Sequence, residues 1–328
     1  MAEETTIRAA ALPRTGVGSA FGTCGELLQG VLAENGLDFL VTLPIRAGSV
    51  AVFEPDPRLD RVEPAPGHKV KSRQLAELML RRQGVAGGGR LTVCSELAEG
   101  KGLASSSADL VATARAVADA TGRTTTPAEI ESCLRAIEPS DGVMYPGVVA
   151  FYHRQVRLRA RLAPLPPLTI VAADEGGQID TVEFNRRPKP FSIPARREYS
   201  RLLHALAAAL ARNDLPTIGA IATRSAVMNS VLRDRPHLGQ AIDASDAIGA
   251  LGVVVAHSGT MTGLLISDTD PDYPGKLAAA VRHARTYGVS VAVHRSWQPA
   301  TPEHRPARNT LEEATVSHRP PTDERVDQ

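Results

Sequence analysis

Three cysteines, Cys24, Cys94 and Cys133, are all that the 328 residues contain, and no pair of them has C-x-x-C spacing. So odd and sparse a set excludes a disulfide scaffold and a structural zinc site, and it points to a reducing compartment. Net charge is equally scant. Lys plus Arg number 37 against 36 Asp plus Glu, which leaves +1, so no global field recruits nucleic acid or an anionic membrane. No uncharged apolar run is long enough for a membrane span, and the acidic start Met1-Ala-Glu-Glu lacks the basic region of a signal peptide. The expectation is a cytoplasmic protein with neither nucleic acid nor membrane as partner. Lysine is missing from residues 1 to 30, where Arg8 and Arg14 are the only long cations.

What is present suffices for a substantial core. Apolar residues make up 43% of the chain, and the length permits one large or two medium domains. The most informative stretch is Glu99-Gly-Lys-Gly-Leu-Ala-Ser-Ser-Ser-Ala-Asp109, a glycine and serine loop that runs straight into an alanine-rich helix. Backbone N–H groups at a helix start lack partners and the helix dipole is positive there, so the place suits a phosphate. The hydroxyls of Ser105, Ser106 and Ser107 add hydrogen bonds to phosphate oxygens or an oxygen ligand for Mg²⁺. The loop is not a P-loop, because Lys101 lies between two glycines and is not followed by Ser or Thr. A plainer reading stands beside it: Ser106 and Asp109 as an S-x-x-D capping box, with Leu110, Ala114 and Val117 on one helical face and Gly122 as the stop.

Along the chain, hydrophobic patterning predicts a mixture of helices and strands without repeats. Short strands are expected at Phe39–Leu43, Ser49–Phe53, Leu91–Cys94, Leu168–Ala173, Gly252–Ala256, Thr262–Ser267 and Val289–His294. Helices are expected at 73–82, from Pro127 to about Ile137, and at 196–212, 238–251 and 275–287. The second of these carries Glu129, Glu131 and Glu138 towards the proposed site. Arg159 to Pro167 reads as a connector because of its clustered prolines. After Trp297 the polar, proline-rich remainder reads as a disordered tail.

The segment Gly102-Leu-Ala-Ser-Ser-Ser107 resembles the G-L-x-S-S-[SA] phosphate loop of the GHMP kinase superfamily. Four further segments extend the resemblance: Gly22-Thr-Cys-Gly-Glu-Leu-Leu-Gln-Gly30, which is followed by Asp38–Pro44; Glu138-Pro-Ser-Asp141; Asp174–Asn185; and Ala256-His-Ser-Gly-Thr-Met-Thr-Gly-Leu-Leu265. In this order they resemble the L-threonine kinase branch, the bacterial enzymes associated with the aminopropanol arm of cobalamin biosynthesis.

The resemblance implies a two-part α+β GHMP kinase fold. A ribosomal-S5-like N-terminal ATP-binding domain would cover 1–160, a C-terminal α/β domain 161–297 and the tail 298–328. A left-handed βαβ crossover is expected from the same source, against the usual rule. It also implies ATP and Mg²⁺ as cofactors, a small hydroxy amino acid as substrate with L-threonine favoured, and a homodimer as an open option.

The implied site is then assigned residue by residue. Gly100, Lys101, Gly102, Leu103, Ala104, Ser105, Ser106 and Ser107 hold the nucleotide. Gly100 and Gly102 give the backbone close access to phosphate, and Lys101 either neutralises it or stays solvated. Ser106 is the first choice for a Mg²⁺ ligand, with Glu138 preferred to Glu131 as the accompanying carboxylate. Asp109 either takes part in the chemistry or only complements the helix dipole.

Asp141 is the expected general base, although some superfamily members are thought to work by positioning alone and no lysine near the N-terminus is available to pair with it. Glu26 and Gln29 in the first motif either contact the substrate or tie loops together, and His257, Ser258, Gly259 and Thr260 are expected at the substrate. For His257 a structural or substrate-binding role is preferred to a proton shuttle. Two other readings share these features: a GHMP kinase for L-serine, homoserine or a related hydroxy amino acid in secondary metabolism, and a nucleotide-binding regulator without turnover.

Overall fold

The computed structural model describes residues 14–177, 179, 184 and 188–299. The expected tail beyond residue 299 and most of the segment 178–187 lie outside these. Described residues up to Gln298 belong to one compact unit.

Its frame is a single large sheet. Strands β1 (Gly16–Val31) and β2 (Asp38–Asp56) form a long antiparallel hairpin at the centre. On one side β2 pairs with β4 (Gly88–Ser95), and β4 pairs in parallel with β3 (Val62–Ala65). Helix α1 (Val70–Arg82) makes the crossover between these two strands. On the other side β1 meets β8 (Gly252–Val255), followed by β9 (Met261–Ser267), β7 (Leu168–Asp174) and β10 (Ser290–Arg295). A side hairpin of β5 (Val149–Tyr152) and β6 (Arg157–Arg161) attaches to β2.

Among the described residues, helices α2 (Ser105–Ala120), α3 (Pro127–Leu134), α4 (Ile193–Ala211), α5 (Leu215–Asn229), α6 (Leu238–Ile248) and α7 (Tyr273–Ala284) complete the unit. Side chains on a strand alternate between the two faces, and β8 uses both. Val254 joins the main core, while Val253 and Val255 join a second cluster with Ala241, Ala244 and Ala280 from α6 and α7.

Several expectations shift. The strands expected at 39–43 and 49–53 are parts of one strand, and 159–161 extends β6 rather than starting a connector. The whole of β1 and of α5 lay unread. In β1 the glycines interrupt the apolar alternation on which strand reading depends. They are there because α2 crosses the strand almost backbone to backbone: a Cβ on Gly18 would stand 2.2 Å from the Ala112 carbonyl oxygen.

The S-x-x-D box is also absent. Helix α2 begins at Ser105 with Ala104 in the left-handed conformation at the N-cap position, and no side chain caps it. Asp109 is buried and bound elsewhere. The box that does form is Thr126 with Glu129, at the start of α3.

The strand-on-helix contact generates a prediction. Gly18→Ala forces α2 off the sheet and is expected to cost ~1–3 kcal/mol, the usual range for overpacking. Urea unfolding of wild type and variant measures it, and an unchanged midpoint would contradict the close approach.

Candidate active site

Three distant segments meet through contacts that leave no room for side chains. Gly102 has φ +84°, and a Cβ there would lie 2.4 Å from the Ala256 Cβ and 2.9 Å from the Gly259 Cα. Gly259 in turn faces the Lys101 carbonyl oxygen, 2.1 Å from where its own Cβ would stand. The Thr260 N–H donates to that same carbonyl at 3.2 Å, and the Thr23 N–H donates to the Leu103 carbonyl at 3.1 Å. The loop at 100–107, the start of the late turn at 256–260 and the middle of β1 are thus locked together.

Over this junction opens a cleft of about 650 Å³. Its walls are the start of α1, the loop ahead of α2, the turn at 138–141, and Glu26, His153, His257 and Ser258. The first helical hydrogen bond of α2 runs from the Ala108 N–H to the Ala104 carbonyl, at 2.9 Å. The N–H groups of Ser105, Ser106 and Ser107 precede it and have no acceptor within the helix, and Gly100 and Ala104 hold the loop in left-handed conformations ahead of them. Such a nest of N–H groups at the positive end of a sixteen-residue helix suits an anion.

Two carboxylates hang over the helix start. The Ser106 hydroxyl donates to Glu138 Oε1, while Lys71 forms an ion pair with Glu138 Oε2. The Ser107 hydroxyl accepts from the Asp141 N–H at 3.0 Å and lies 3.4 Å from Asp141 Oδ2. The pair of Ser106 hydroxyl and Glu138 carboxylate is a hard-oxygen donor set of the kind Mg²⁺ takes. Among the described residues no group of three or more His, Cys, Asp or Glu side chains forms a metal cluster.

Burial pushes the Asp141 carboxyl up to about 6; the Ser107 hydroxyl works against the rise and the Glu138 charge adds to it. Glu26 is raised well above the usual carboxylate range, first by burial and then by Asp141 beside it. The His257 imidazole is held well below its ordinary pKa by burial, and then by His153 and the nearby Lys189, Arg235 and Arg154 charges, so it is neutral. Its Nδ1 lies 2.8 Å from Gln29 Oε1, and Gln29 Nε2 donates to the Val255 carbonyl. Gln29 Oε1 is therefore an acceptor, which places the imidazole proton on Nδ1.

Of the expected residues, Glu26, Gly100, Gly102, Leu103, Ala104, Ser105, Ser106, Ser107, Glu138, Asp141, His257 and Ser258 all line this cleft. Gly259 and Thr260 stand behind it. Lys101 is turned away, in an ion pair with Asp174 at 2.6 Å and a hydrogen bond to the Gly177 carbonyl. Burial alone would raise Asp174, but that ammonium and the Thr260 hydroxyl outweigh it and hold the carboxyl below its usual range.

Glu131 is remote from the cleft. Its carboxylate accepts from the Tyr145 hydroxyl at 2.7 Å, the Leu158 N–H at 2.9 Å and Arg135 at 2.8 Å. Asp109 accepts from Lys69 at 2.7 Å and from the Ser49 hydroxyl at 2.6 Å. The cations at the cleft, Lys69 and Lys71, were missed. Their signal is the Lys-Val-Lys run at the start of α1, which sequence reading has no means of bringing to a loop thirty residues later.

Residues 70–152 match the GHMP kinases N terminal domain. The L-threonine kinase of Salmonella typhimurium is 27% identical over 265 residues, which cover 78% of this chain and 85% of that protein. The homoserine kinase structure from Cytophaga hutchinsonii superposes with a TM-score of 0.66 at 17% identity, over 86% of this chain and 95% of the other. A structure of MDDEF in complex with MVAPP, AMPPCP and magnesium superposes with a TM-score of 0.62 at 14% identity, over 86% and 98%. The matched stretch contains the loop at the start of α2, and the fold around it is the one these superposed structures share.

The raised Asp141 carboxyl generates a prediction that needs no substrate. A carboxyl with a raised pKa in the fold favours the protonated protein, so ionisation erodes stability as pH climbs through about 6. Asp141→Asn is expected to gain ~1–2 kcal/mol over wild type between pH 5 and pH 8, after allowance for solvent in the cleft. Thermal unfolding across that range checks it, and parallel pH profiles for the two proteins would refute the shift.

Proposed function

We propose that this kinase transfers the γ-phosphoryl group of ATP to the side-chain hydroxyl of L-threonine, giving O-phospho-L-threonine and ADP. The observation that carries the reading is the likeness to an L-threonine kinase over most of both chains. The cleft geometry supports it, since phosphoryl transfer asks chiefly for positioning and charge stabilisation. The N–H groups in the first turn of α2 take the phosphates, with Lys71 and Lys69 close enough to offset their charge. Ser106 and Glu138 are the residues that would hold Mg²⁺, a fit given by their paired oxygens. When bound, that ion neutralises charge on the phosphate oxygens.

Asp141 is the base. With its pKa near 6 the carboxylate is ionised at neutral pH yet basic enough to take the threonine hydroxyl proton. The hydroxyl oxygen then forms the new bond to phosphorus as the bond to the departing ADP oxygen breaks. Lys101 acts at one remove, tying Asp174 to the loop. Glu26, His257 and Ser258 face the amino acid. The homoserine kinase likeness favours a second reading in which the acceptor is a different hydroxy amino acid.

ADP release measured over a panel of hydroxy amino acids separates the two readings. L-threonine is expected to give the highest kcat/KM, with L-serine weaker because one methyl in a pocket is worth only ~1–3 kcal/mol. A clear preference for homoserine would move the assignment to the second reading.

Ser106 supplies a further test. Because its hydroxyl caps nothing in α2, Ser106→Ala is expected to leave stability within ~0.5 kcal/mol of wild type. The same variant should lose about a hundredfold in kcat, as expected for a group at the transferring phosphate. Full activity in the variant would remove Ser106 from the machinery.

A further inference from the structure

Two lysines line the cleft, and they are held in different ways. Lys69, the residue ahead of α1, has a side chain only 11% exposed and lies between two carboxylates, Asp109 at 2.7 Å and Glu99 at 2.5 Å. Asp109 is itself buried and takes the Ser49 hydroxyl as well, so this ammonium is fixed in place. Lys71 is 49% exposed, and among the described residues its ammonium has one partner, Glu138 Oε2. Glu138 is the reverse case. Its side chain is 9% exposed and both of its oxygens are engaged, Oε1 by the Ser106 hydroxyl and Oε2 by Lys71.

The start of α1 adds a second observation. Acids suit the first turn of a helix, where the dipole is positive. In α1 no acid stands there; Lys71 and Arg73 do, after Lys69 at the N-cap position, and no side chain caps the helix. A local preference broken in this way is expected where function requires the charge. Of the two lysines at the cleft, only Lys71 has the freedom to move that charge, on a flexible four-carbon stem that is half in solvent.

We propose that Lys71 is an exchangeable counter-ion: its ammonium holds the Glu138 carboxylate until a metal–nucleotide complex enters, then yields that carboxylate to the divalent ion and turns to the phosphate oxygens. The inference rests on the reading of Ser106 and Glu138 as the pair that would hold Mg²⁺, and it adds the order in which ion and nucleotide are admitted. A divalent ion arriving alone has to displace an ammonium from the carboxylate, against the repulsion of the two cations and with no anion to receive the lysine. A nucleotide brings phosphate oxygens that give Lys71 a new charge-assisted partner. Glu138 is thus paired before and after the exchange, as a nearly buried carboxylate requires. Lys69, locked to Asp109 and Glu99, stays as a fixed positive charge.

Binding of Mn²⁺, a paramagnetic substitute for Mg²⁺, tests this without turnover. Electron paramagnetic resonance reads the affinity for Mn²⁺ alone, and isothermal titration calorimetry reads that for Mn²⁺–AMPPCP. Lys71→Met is expected to bind Mn²⁺ alone ~10-fold more tightly than wild type and Mn²⁺–AMPPCP ~10-fold more weakly. The opposite signs are the signature, since a lysine that only supports the fold would weaken both when lost. Lys71→Arg keeps the charge and should stay within ~2-fold of wild type for Mn²⁺ alone. Unchanged or weaker binding of Mn²⁺ alone by Lys71→Met overturns the exchange, and so does an equal tightening in Lys71→Arg.

Glu138→Gln separates the exchange from the metal reading beneath it. That variant is expected to lose ~10-fold or more in affinity for Mn²⁺–AMPPCP. If it binds the complex as wild type does, Glu138 is no metal ligand and both readings fall. If it loses that affinity while Lys71→Met binds Mn²⁺ alone as wild type does, the metal pair stands and the exchange alone falls.

Discussion

The site depends on one steric constraint, the packing of the loop at Gly102 directly against the turn at Ala256–Gly259. Nothing larger than hydrogen fits on either glycine, so two backbones 157 positions apart share a surface that side chains would hold open. The hydrogen bonds from Thr260 to Lys101 and from Thr23 to Leu103 fix the register of that contact. Everything else in the cleft is placed relative to it: the N–H groups on the loop, His257 and Ser258 on the turn, and Glu26 on the strand that touches both.

Around this junction the charges form layers. Nearest the helix start, Glu138 joins Ser106 to Lys71, and Asp109 joins Lys69 to Ser49. Deeper in, burial raises both Asp141 and Glu26, Glu138 adding to the rise of Asp141 and Asp141 to that of Glu26. On the far side Lys101, Asp174 and Thr260 form a closed set behind the loop. A loop rich in glycine has little intrinsic preference for one shape. Here its shape is imposed by what grips it from outside.

Much of this was legible in the sequence, and for a physical reason. Small residues at fixed spacing mark the loop from Gly100 to Ser107 and acids mark the turn at 138–141, and the structure brings both to one cleft. The capping box at Ser106 and Asp109 failed because spacing does not reveal that Ala104 adopts a left-handed backbone, which sets the helix start without a side-chain cap. Glu131 passed for a site residue because a helix-end glutamate has the same local pattern whether it faces a cleft or, as here, satisfies Tyr145 and a strand N–H. Lys69 and Lys71 were invisible because their significance lies in the carboxylates that stand opposite them, which only the tertiary structure supplies.

The central hairpin has a consequence for how the molecule comes apart. Strand β1 shifts register at Phe21, Thr23 and Glu26, and at Glu26 it leaves room for its single paired contact with β8. That narrow seam, backed by Asn229 and Ser225 of α5 on the Gln29 backbone, joins the two flanks of the sheet together with the bridge of Ile45 to Ser296. Opening it would leave most helices and strands intact yet pull Glu26 away from His257 and the loop away from its turn. Loss of the binding cleft and loss of secondary structure are therefore separable events along an unfolding path, and a nucleotide or amino acid that bridges the seam acts as a staple on the whole architecture.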